Sequence, residues 1–484
     1  MNIESTDTVR RVAVIGGGIS GLAAAHRLIE LAPSVIVTLY ESQGRLGGVI
    51  RTEQQDGYLL EHGADMLTTK DPWALDLCQR IGLAAEMIGT NAAHRRAFVV
   101  HRGRLRPVPA GFTLMSPGRI WPMITTRILS PWGKLRLGWE YFVPPRHEDR
   151  DESLAEFTTR RLGREAYQRL VQPLVSGIYT ADPTKLSMQA AMPQFVEMER
   201  KYGGLVRGMR QTTKQATPAS TGSGARYDMF VAPRGGMGKL IEALSAHLPK
   251  GCVRLNHEIT DLAHGPYGWD VTSSPGGRER YDAVVVAAPA YAAARLLRGV
   301  QNELVEELDQ IPYAGTAILL AAYQRDQIAH ALDGFGVVVP LCEQRSVLAI
   351  SFSSIKFSKR APEDHVLLRV FVGGASQAEL LSQDDDQLRK MVLRELEELL
   401  GARGTPQLFR IIRWTKAMPQ YHVGHVDRAA RIDRLVHSIP RLALAGNAYR
   451  GVGVPFCVHS GEQAALRVLG HTDPYSKSTS TSFG

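Results

Sequence analysis

Six residues near the start of the chain, Gly16-Gly17-Gly18-Ile19-Ser20-Gly21, constrain the fold more than any other segment. They read G-x-G-x-x-G and separate two different periodicities. Residues 11–16 (RVAVIG) are a short apolar run of the kind that forms a buried parallel strand. Residues 19–30 then place Leu22, Ala25, Leu28 and Ile29 on one helix face, and residues 34–40 are a second β-branched run. Strand, helix and strand in this order are a βαβ unit. In that setting Gly16 permits a tight turn, Gly18 lets backbone approach a pyrophosphate, and Gly21 lets the helix pack on the strand. The helix start, at Ile19 and Ser20, offers free N–H groups and a partial positive charge to phosphates. Glu41 closes the second strand, with Ser42 beside it, where an acid accepts hydrogen bonds from an adenosine ribose. These residues predict a dinucleotide site.

The rest of the chain sets the scale of what surrounds that site. At 484 residues it is too long for one simple core, and two or three domains are expected. Lys and Arg number 57 against 48 for Asp and Glu, a net charge of +9. That surplus suits acidic ligands or an anionic membrane surface. No Lys/Arg run or nucleic-acid-binding motif occurs, so nucleic acid is not an expected partner. Cys78, Cys252, Cys342 and Cys457 are isolated, which argues against a metal site or a disulfide scaffold and for a reducing compartment. The polar N-terminus has no signal-peptide core, and no apolar run is long enough to span a bilayer. A cytoplasmic location follows, with any membrane contact peripheral and on the inner face.

Along the chain the character changes three times. Seven prolines lie between residues 107 and 145, interleaved with Trp121, Trp132 and Trp139 and with Arg119, Arg127, Lys134 and Arg136. Helices follow from about residue 153. Residues 203–226 are rich in Gly, Ser and Thr and read as a mobile loop. Residues 313–375 hold several strand-like runs, the pattern of an antiparallel-rich second domain. Residues 471–484 read as a disordered tail.

Two further segments extend the first motif. Arg45-Leu46-Gly47-Gly48 follows Glu41 closely, and E-x-x-x-R-x-G-G resembles the extended fingerprint of FAD-dependent amine oxidases and their relatives. FAD is therefore the expected cofactor. At the far end of the chain, Gly446-Asn447 and Val452-Gly453-Val454-Pro455 join a strand to a helix, and a second helix start there could receive the flavin end.

Several longer segments are similar to the protoporphyrinogen/coproporphyrinogen oxidase family over nearly the whole chain. They are residues 60–65 (LEHGAD), 161–165 (RLGRE), 170–179 (LVQPLVSGIY) with Asp182-Pro183 and Leu186-Ser187, 233–237 (PRGGM), 418–421 (MPQY) and 451–455 (GVGVP). The resemblance implies an α/β fold: a discontinuous Rossmann-like FAD domain (1–90, 230–300 and 405–475), a mixed-sheet substrate domain (300–405) and a helical insert (95–205) that faces the membrane in relatives. It places Gly63, Ala64, Asp65 and Met66 near the flavin, the backbone of Ile259, in the short strand after Cys252, at the adenine, and Trp414 and residues 452–454 at the isoalloxazine. Two departures stand out: the family often has Gly-Pro at Gly63-Ala64, and Asp at Phe456.

The implied chemistry is a six-electron oxidation of a porphyrinogen, with oxygen as acceptor. Such a reaction asks the protein mainly for placement, because the cofactor does the hard step; this accounts for the lack of a triad or a metal cluster in the sequence. Arg96, and next to it Arg95, match the region from which relatives supply a propionate-binding Arg. His62, His422, His425 and His459 are candidate acid–base groups that can equally be packed or surface histidines. The sequence leaves open protoporphyrinogen IX against coproporphyrinogen III, and a homodimer. An amine or amino-acid oxidase, a phytoene-type desaturase and a non-catalytic flavin-binding protein share the fingerprint but give no reason for residues 160–187.

Overall fold

The computed structural model describes residues 9–117, 120–146, 148, 150–215 and 229–471. Its buried runs build two main sheets. The first is parallel throughout, in the order Val253–Leu255, Ile36–Glu41, Arg11–Ile15, Ala283–Val286, Leu442–Leu444. The central strand encloses Val12, Ala13 and Val14 completely, because both faces of the sheet are covered. Helices Ile19–Leu31, Gly238–Ala246 and Val454–Leu469 cover one face through Leu22, Leu28, Leu240 and Val458. On the other face, Trp269 and Tyr281 from the meander Glu258–Gly265, Gly268–Ser274, Gly277–Tyr281 pack on Ala13, Ile15 and Tyr40. Neighbouring strands therefore come from distant stretches of chain, the discontinuous Rossmann-like arrangement.

The second sheet is mixed and has seven strands: Leu408–Pro419, Tyr313–Gln324, His365–Gly373, Ala349–Phe352, Gly336–Val338, Phe98–His101 and Arg104–Pro107. Only Gly336–Val338 and Phe98–His101 pair in parallel. The helix Asp385–Leu400 covers one face with Leu388, Val392 and Leu396. A capping box between Asp384 and Gln387 starts it, and Gly401, at φ 62°, ends it. On the opposite face Leu320, Ala322 and Leu367 meet Tyr58 and Leu60.

Four assignments differ from the sequence reading. Strands Phe98–His101 and Arg104–Pro107, counted within the helical insert, extend the second sheet, as does Leu408–Pro419, counted with the cofactor domain. A short β-branched or aromatic run has the same local pattern in either sheet, and only tertiary pairing assigns it. The helix Asn302–Asp309, counted with the substrate domain, buries Leu304 and Leu308 in the Rossmann-like core. Residues 205–215, read as part of the mobile loop, are the helix Leu205–Gln215. Its first turn is held by Glu140, whose carboxylate accepts the N–H groups of Leu205 at 2.8 Å and Val206 at 3.1 Å. No local pattern reveals so distant a partner. The rest of that loop and the tail from residue 472 lie outside the described residues.

The insert is built on Leu154, Phe157, Leu162, Leu170, Leu174 and Phe195. Through this apolar core runs a chain of charges. Arg161 and Glu140, neither with any exposed surface, form an ion pair. Arg161 also reaches Glu199 at 3.3 Å, Arg160 joins Glu199 and Glu152, each at 2.7 Å, and Arg146 joins Glu152 at 2.7 Å. Trp121, Ile124, Trp132, Leu135, Trp139 and Phe142 lie mostly outside, each more than half exposed, so these tryptophans are not core.

Arg161→Met would leave Glu140 buried without its cation. Chemical denaturation of the full chain is expected to show a loss of about 3–5 kcal/mol. Lys239→Met, which breaks the exposed Lys239–Glu242 pair, is expected to cost less than about 1 kcal/mol.

Candidate active site

The first strand turns into the first helix through backbone approaches that admit no side chain. Gly16 has φ 109°, and a Cβ there would lie 2.4 Å from the Ala287 carbonyl oxygen; one at Gly21 would lie 1.9 Å from the Gly16 oxygen. Gly18 differs: a Cβ there meets nothing within 4 Å. Gly16 and Gly21 are thus required by the protein's own packing, whereas Gly18 faces open space. The helix Ile19–Leu31 starts at Gly18 with no side-chain cap and no acid in its first turn. Its unpaired N–H groups and positive end are therefore free for an anion.

A second loop closes the cradle. Gly47 donates its N–H to the Gly17 oxygen at 2.8 Å and pairs with Gly18 as a parallel bridge. Arg45 holds this loop from within, donating to the Leu46, Ile50 and Gly48 carbonyls at 3.1, 3.3 and 2.5 Å. Gly47 and Gly48 have φ of 105° and 58°, a conformation that L side chains adopt rarely. Glu41 is buried; its carboxylate accepts N–H groups from Gly17 and Gln43, both at 2.8 Å, and lies 3.3 Å from the Ser42 hydroxyl. Ile259 is in the strand Glu258–Gly265 and not in Val253–Leu255, because a turn at Asn256, at φ 56°, separates the two. The turn is tied to the Glu41 strand by His257 N–H to the Glu41 carbonyl, at 2.9 Å.

The C-terminal turn is brought to the same place by close helix packing. A Cβ at Gly461 would lie 2.1 Å from the Ser20 oxygen, so Val454–Leu469 and Ile19–Leu31 touch backbone to backbone. The helix cap, Gly453, has no side-chain partner, which gives a second open N-terminus. Gly446 donates to the Ser460 hydroxyl at 3.0 Å. Tyr421 ties the turn together: its hydroxyl donates to the Asn447 carbonyl at 2.6 Å and accepts the Gly451 N–H at 2.8 Å. Phe456 packs its ring against Gly451 and meets Trp73 edge to face at 5.2 Å.

The loop Gly63–Met66 is held from the other sheet. Arg369 donates to the Gly63 carbonyl at 2.5 Å, and the Trp414 indole donates to the His62 carbonyl at 2.7 Å. Asp65 forms ion pairs with Lys356 and, at 3.0 Å, with Arg369. Burial pushes the Asp65 carboxyl up, but the two cations overcome this and hold it well below the usual carboxylate range. Ala64 and Met66 pack against the Rossmann-like core. Lys356 and Arg369 were not singled out in the sequence. Lys356 sits in the short helix Ser353–Lys356, in a serine-rich and basic stretch (SFSSIKFSKR) that gives no local signal of its burial.

The remaining candidates sit apart from this cradle or serve its frame. The His62 ring is 3.0 Å from the Glu53 carboxylate, and burial draws its pKa down. His459 stacks on Trp73 with centroids 4.0 Å apart. His425 stacks on Tyr421, also at 4.0 Å, and its Nε2 is 3.0 Å from the Tyr449 carbonyl. Burial pushes the His425 ring down to about 4. His422 is half-buried and also lowered by burial. Arg96 forms an ion pair with Asp333 and donates to its carbonyl at 2.6 Å. Arg95 donates to the Thr90 carbonyl at 3.2 Å. Among the described residues no group of three or more His, Cys, Asp or Glu could hold a metal ion.

Two open helix N-termini, a fixed acid at the end of the second strand and a glycine face with room for a ligand define a dinucleotide-binding flavoprotein. The description "Flavin containing amine oxidoreductase" matches residues 19–469. A coproporphyrinogen III oxidase of Propionibacterium freudenreichii is 35% identical, over 95% of this chain and 90% of its own. One from Bacillus subtilis is 30% identical, over 96% and 99%. A solved chain from Exiguobacterium sp. 255-15, provisionally described as a protoporphyrinogen oxidase, superposes with a TM-score of 0.85 at 30% identity, over 95% of this chain and 98% of its own. The chain belongs to the flavin-containing amine oxidoreductases, in the branch that holds the porphyrinogen oxidases. It is an FAD-dependent oxidoreductase.

Gly18→Val is expected to keep the fold and lose the cofactor, because its side chain enters space that the protein leaves open. Flavin absorbance per chain should fall at least tenfold while the circular dichroism of the apoprotein stays unchanged. Gly21→Val, which strikes backbone, should give insoluble or unfolded chain. Between pH 6.5 and about 4 the unfolded state binds a proton that His425 in the folded state refuses, so stability is full above this window and falls as pH drops through it. His425→Asn should flatten that part of the stability–pH curve in chemical denaturation.

Proposed function

We propose that this protein oxidises coproporphyrinogen III to coproporphyrin III, with molecular oxygen as final acceptor. The observation that carries the reading is similarity to coproporphyrinogen III oxidases along nearly the full length of both chains. Bound FAD supplies a two-electron acceptor, and repeated oxidations remove six electrons from the macrocycle.

The residues present suit that cofactor. The N-terminus at Gly18, with no cap and no acid, fits the diphosphate, with Gly47 and Gly48 opposite it. Glu41 fits the adenosine ribose, its orientation fixed by Gly17 and Gln43. The second N-terminus, at Val452, Gly453 and Val454, and the loop Gly63–Met66 fit the flavin end, with Trp414 holding the loop. Lys356 and Arg369 keep Asp65 ionised, so that loop stays fixed with no residual proton to exchange. In this reading the histidines serve packing, and the chain's task is to orient a flat substrate and keep water from it.

Two finer readings accompany it. Arg96, with Arg95 beside it, takes a propionate when it exchanges its Asp333 partner for the ligand. The exposed Trp121, Trp132, Trp139 and Phe142, with Lys134 among them, support peripheral contact with a membrane surface. Among the described residues no helix is long and apolar enough to cross one.

The test is direct. Anaerobic holoenzyme mixed with coproporphyrinogen III should lose its flavin absorbance and regain it on admission of air, with peroxide and porphyrin fluorescence produced. Protoporphyrinogen IX in a parallel reaction should be turned over more slowly. Bleaching by an amine, with none by either porphyrinogen, would sink the assignment. Faster oxidation of protoporphyrinogen IX would change the substrate and leave the class intact.

A further inference from the structure

One lysine and three arginines are buried among the described residues: Lys356, Arg161, Arg360 and Arg369. Arg161, in the insert, is met by two carboxylates, Glu140 and Glu199. The other three lie together beside the Asp65 loop and share two acids, Glu61 and Asp65. Asp65 pairs with Lys356 and Arg369. Glu61 accepts the N–H of Met237 and the Thr52 hydroxyl, both at 2.8 Å. Arg360 donates to the Pro233 and Arg234 carbonyls at 3.1 and 3.0 Å. The enclosed Nε of Arg369 meets no acceptor among the described residues.

Three cations thus face two carboxylates. Burial pushes the Glu61 carboxyl up, toward its neutral form, which widens the difference. Burial draws Lys356 down, and the Asp65 carboxylate in contact with its ammonium opposes that. Outside the cluster, Arg51, Arg410 and His62 share one carboxylate, Glu53, so the surroundings add no surplus of negative charge. A buried surplus cation is unfavourable by itself. It becomes favourable beside a group that turns negative. The Asp65 loop borders the place for such a group. A Cβ at Gly48 would lie 3.3 Å from the Gly18 Cα, and one at Gly63 would lie 2.0 Å from the Val49 oxygen. Val49 is exposed although Ile50 beside it is buried, so its side chain borders open space. Leu67–Thr68, the strand that follows the loop, contacts the helix Val454–Leu469. The loop therefore runs from the first glycine turn to the second open helix start.

Reduction of a flavin by two electrons and one proton, the content of a hydride, adds one negative charge to it. We propose that the surplus cation held by Lys356, Arg360 and Arg369 over Glu61 and Asp65 favours the reduced flavin and raises the potential at which the enzyme takes electrons from its substrate. Contact with the ring is not required. At an effective dielectric of about 20, one elementary charge moves an equilibrium tenfold from about 12 Å. The inference rests on the flavin end lying against the Gly63–Met66 loop, as in the function proposed above, and not on which substrate is oxidised.

The test is the reduction potential of FAD-loaded full-length protein, measured anaerobically against a reference dye with xanthine and xanthine oxidase as the electron source. Flavin content and visible circular dichroism establish that each form holds its cofactor. Lys356→Met removes a positive charge and should shift the equilibrium at least tenfold toward oxidised flavin, about 30 mV lower for a two-electron couple. Asp65→Asn removes a negative charge and should shift it by a similar factor the other way. The pH above which reduction takes up one proton in place of two should rise in the first variant and fall in the second. Lys356→Met/Asp65→Asn loses the ion pair and keeps the sum of charges, so its equilibrium should stay within about threefold of wild type. A role confined to loop geometry predicts the reverse, with the double variant furthest from wild type. That result, single variants shifted in the same direction, or equal potentials in all four forms would overturn the inference. If neither single variant holds FAD, the double variant decides: a shift beyond threefold overturns the charge reading, and a smaller one upholds it. No porphyrinogen enters these measurements, so failure to oxidise one would count against the proposed function alone.

Discussion

At Gly21 the first helix lies against the turn that precedes it, with room for hydrogen and nothing more. A methyl group there would sit 1.9 Å from the Gly16 oxygen; one at Gly461 would sit 2.1 Å from the Ser20 oxygen. These two contacts set the distance between three pieces of backbone: the end of the first strand, the first helix and the last helix. The two open helix starts take their relative position from them. The helix starts at Gly18 and Gly453 can converge on one ligand because their helices cross with backbone in contact.

The loop at His62–Asp65 is held by a different force. It belongs to the Rossmann-like part of the chain, yet the His62 and Gly63 carbonyls and the Asp65 carboxylate are bound by Trp414, Arg369 and Lys356 from the second sheet and the helix beside it. A buried ion pair is weak evidence for net stability but strong evidence for a fixed geometry, since removing one partner strands the other. The Asp65 triad thus fixes how the seven-stranded sheet faces the Rossmann-like part. Tyr421 does the same for the C-terminal turn through one hydroxyl, with no charge.

What could be read in advance follows the range of the interaction. Gly16, Gly18, Gly21 and Glu41 were legible because their demands are local: a strand, a turn and a helix within a few dozen residues. The α/β class and the FAD assignment followed from that and from the Arg45 loop. Arg45 itself binds carbonyls of its own loop, a task that spacing alone does not disclose. The strand Phe98–His101 was assigned to the wrong layer because its partner, Gly336–Val338, is more than two hundred residues away and its local pattern fits any sheet. Lys356 was missed for a related reason. Nothing around it in the sequence marks it, and its meaning lies in Asp65. Glu140 and the helix at Leu205 form the same kind of pair: the helix start looked like a loop because its cap comes from elsewhere.

The strand order of the parallel sheet has a consequence for how the protein is made. Arg11–Ile15 is flanked by Ile36–Glu41 and Ala283–Val286, and the latter by Leu442–Leu444, so the sheet is completed by the last strand to leave the ribosome. The glycine turn emerges first and waits, through more than four hundred residues of synthesis, for the helix that packs against it. A chain cut short between Leu31 and Val454 has the glycine turn at Gly16–Gly21 and lacks the second open helix start at Gly453. The two open helix starts thus come from opposite ends of the chain, and their relative position is not set until both segments have packed.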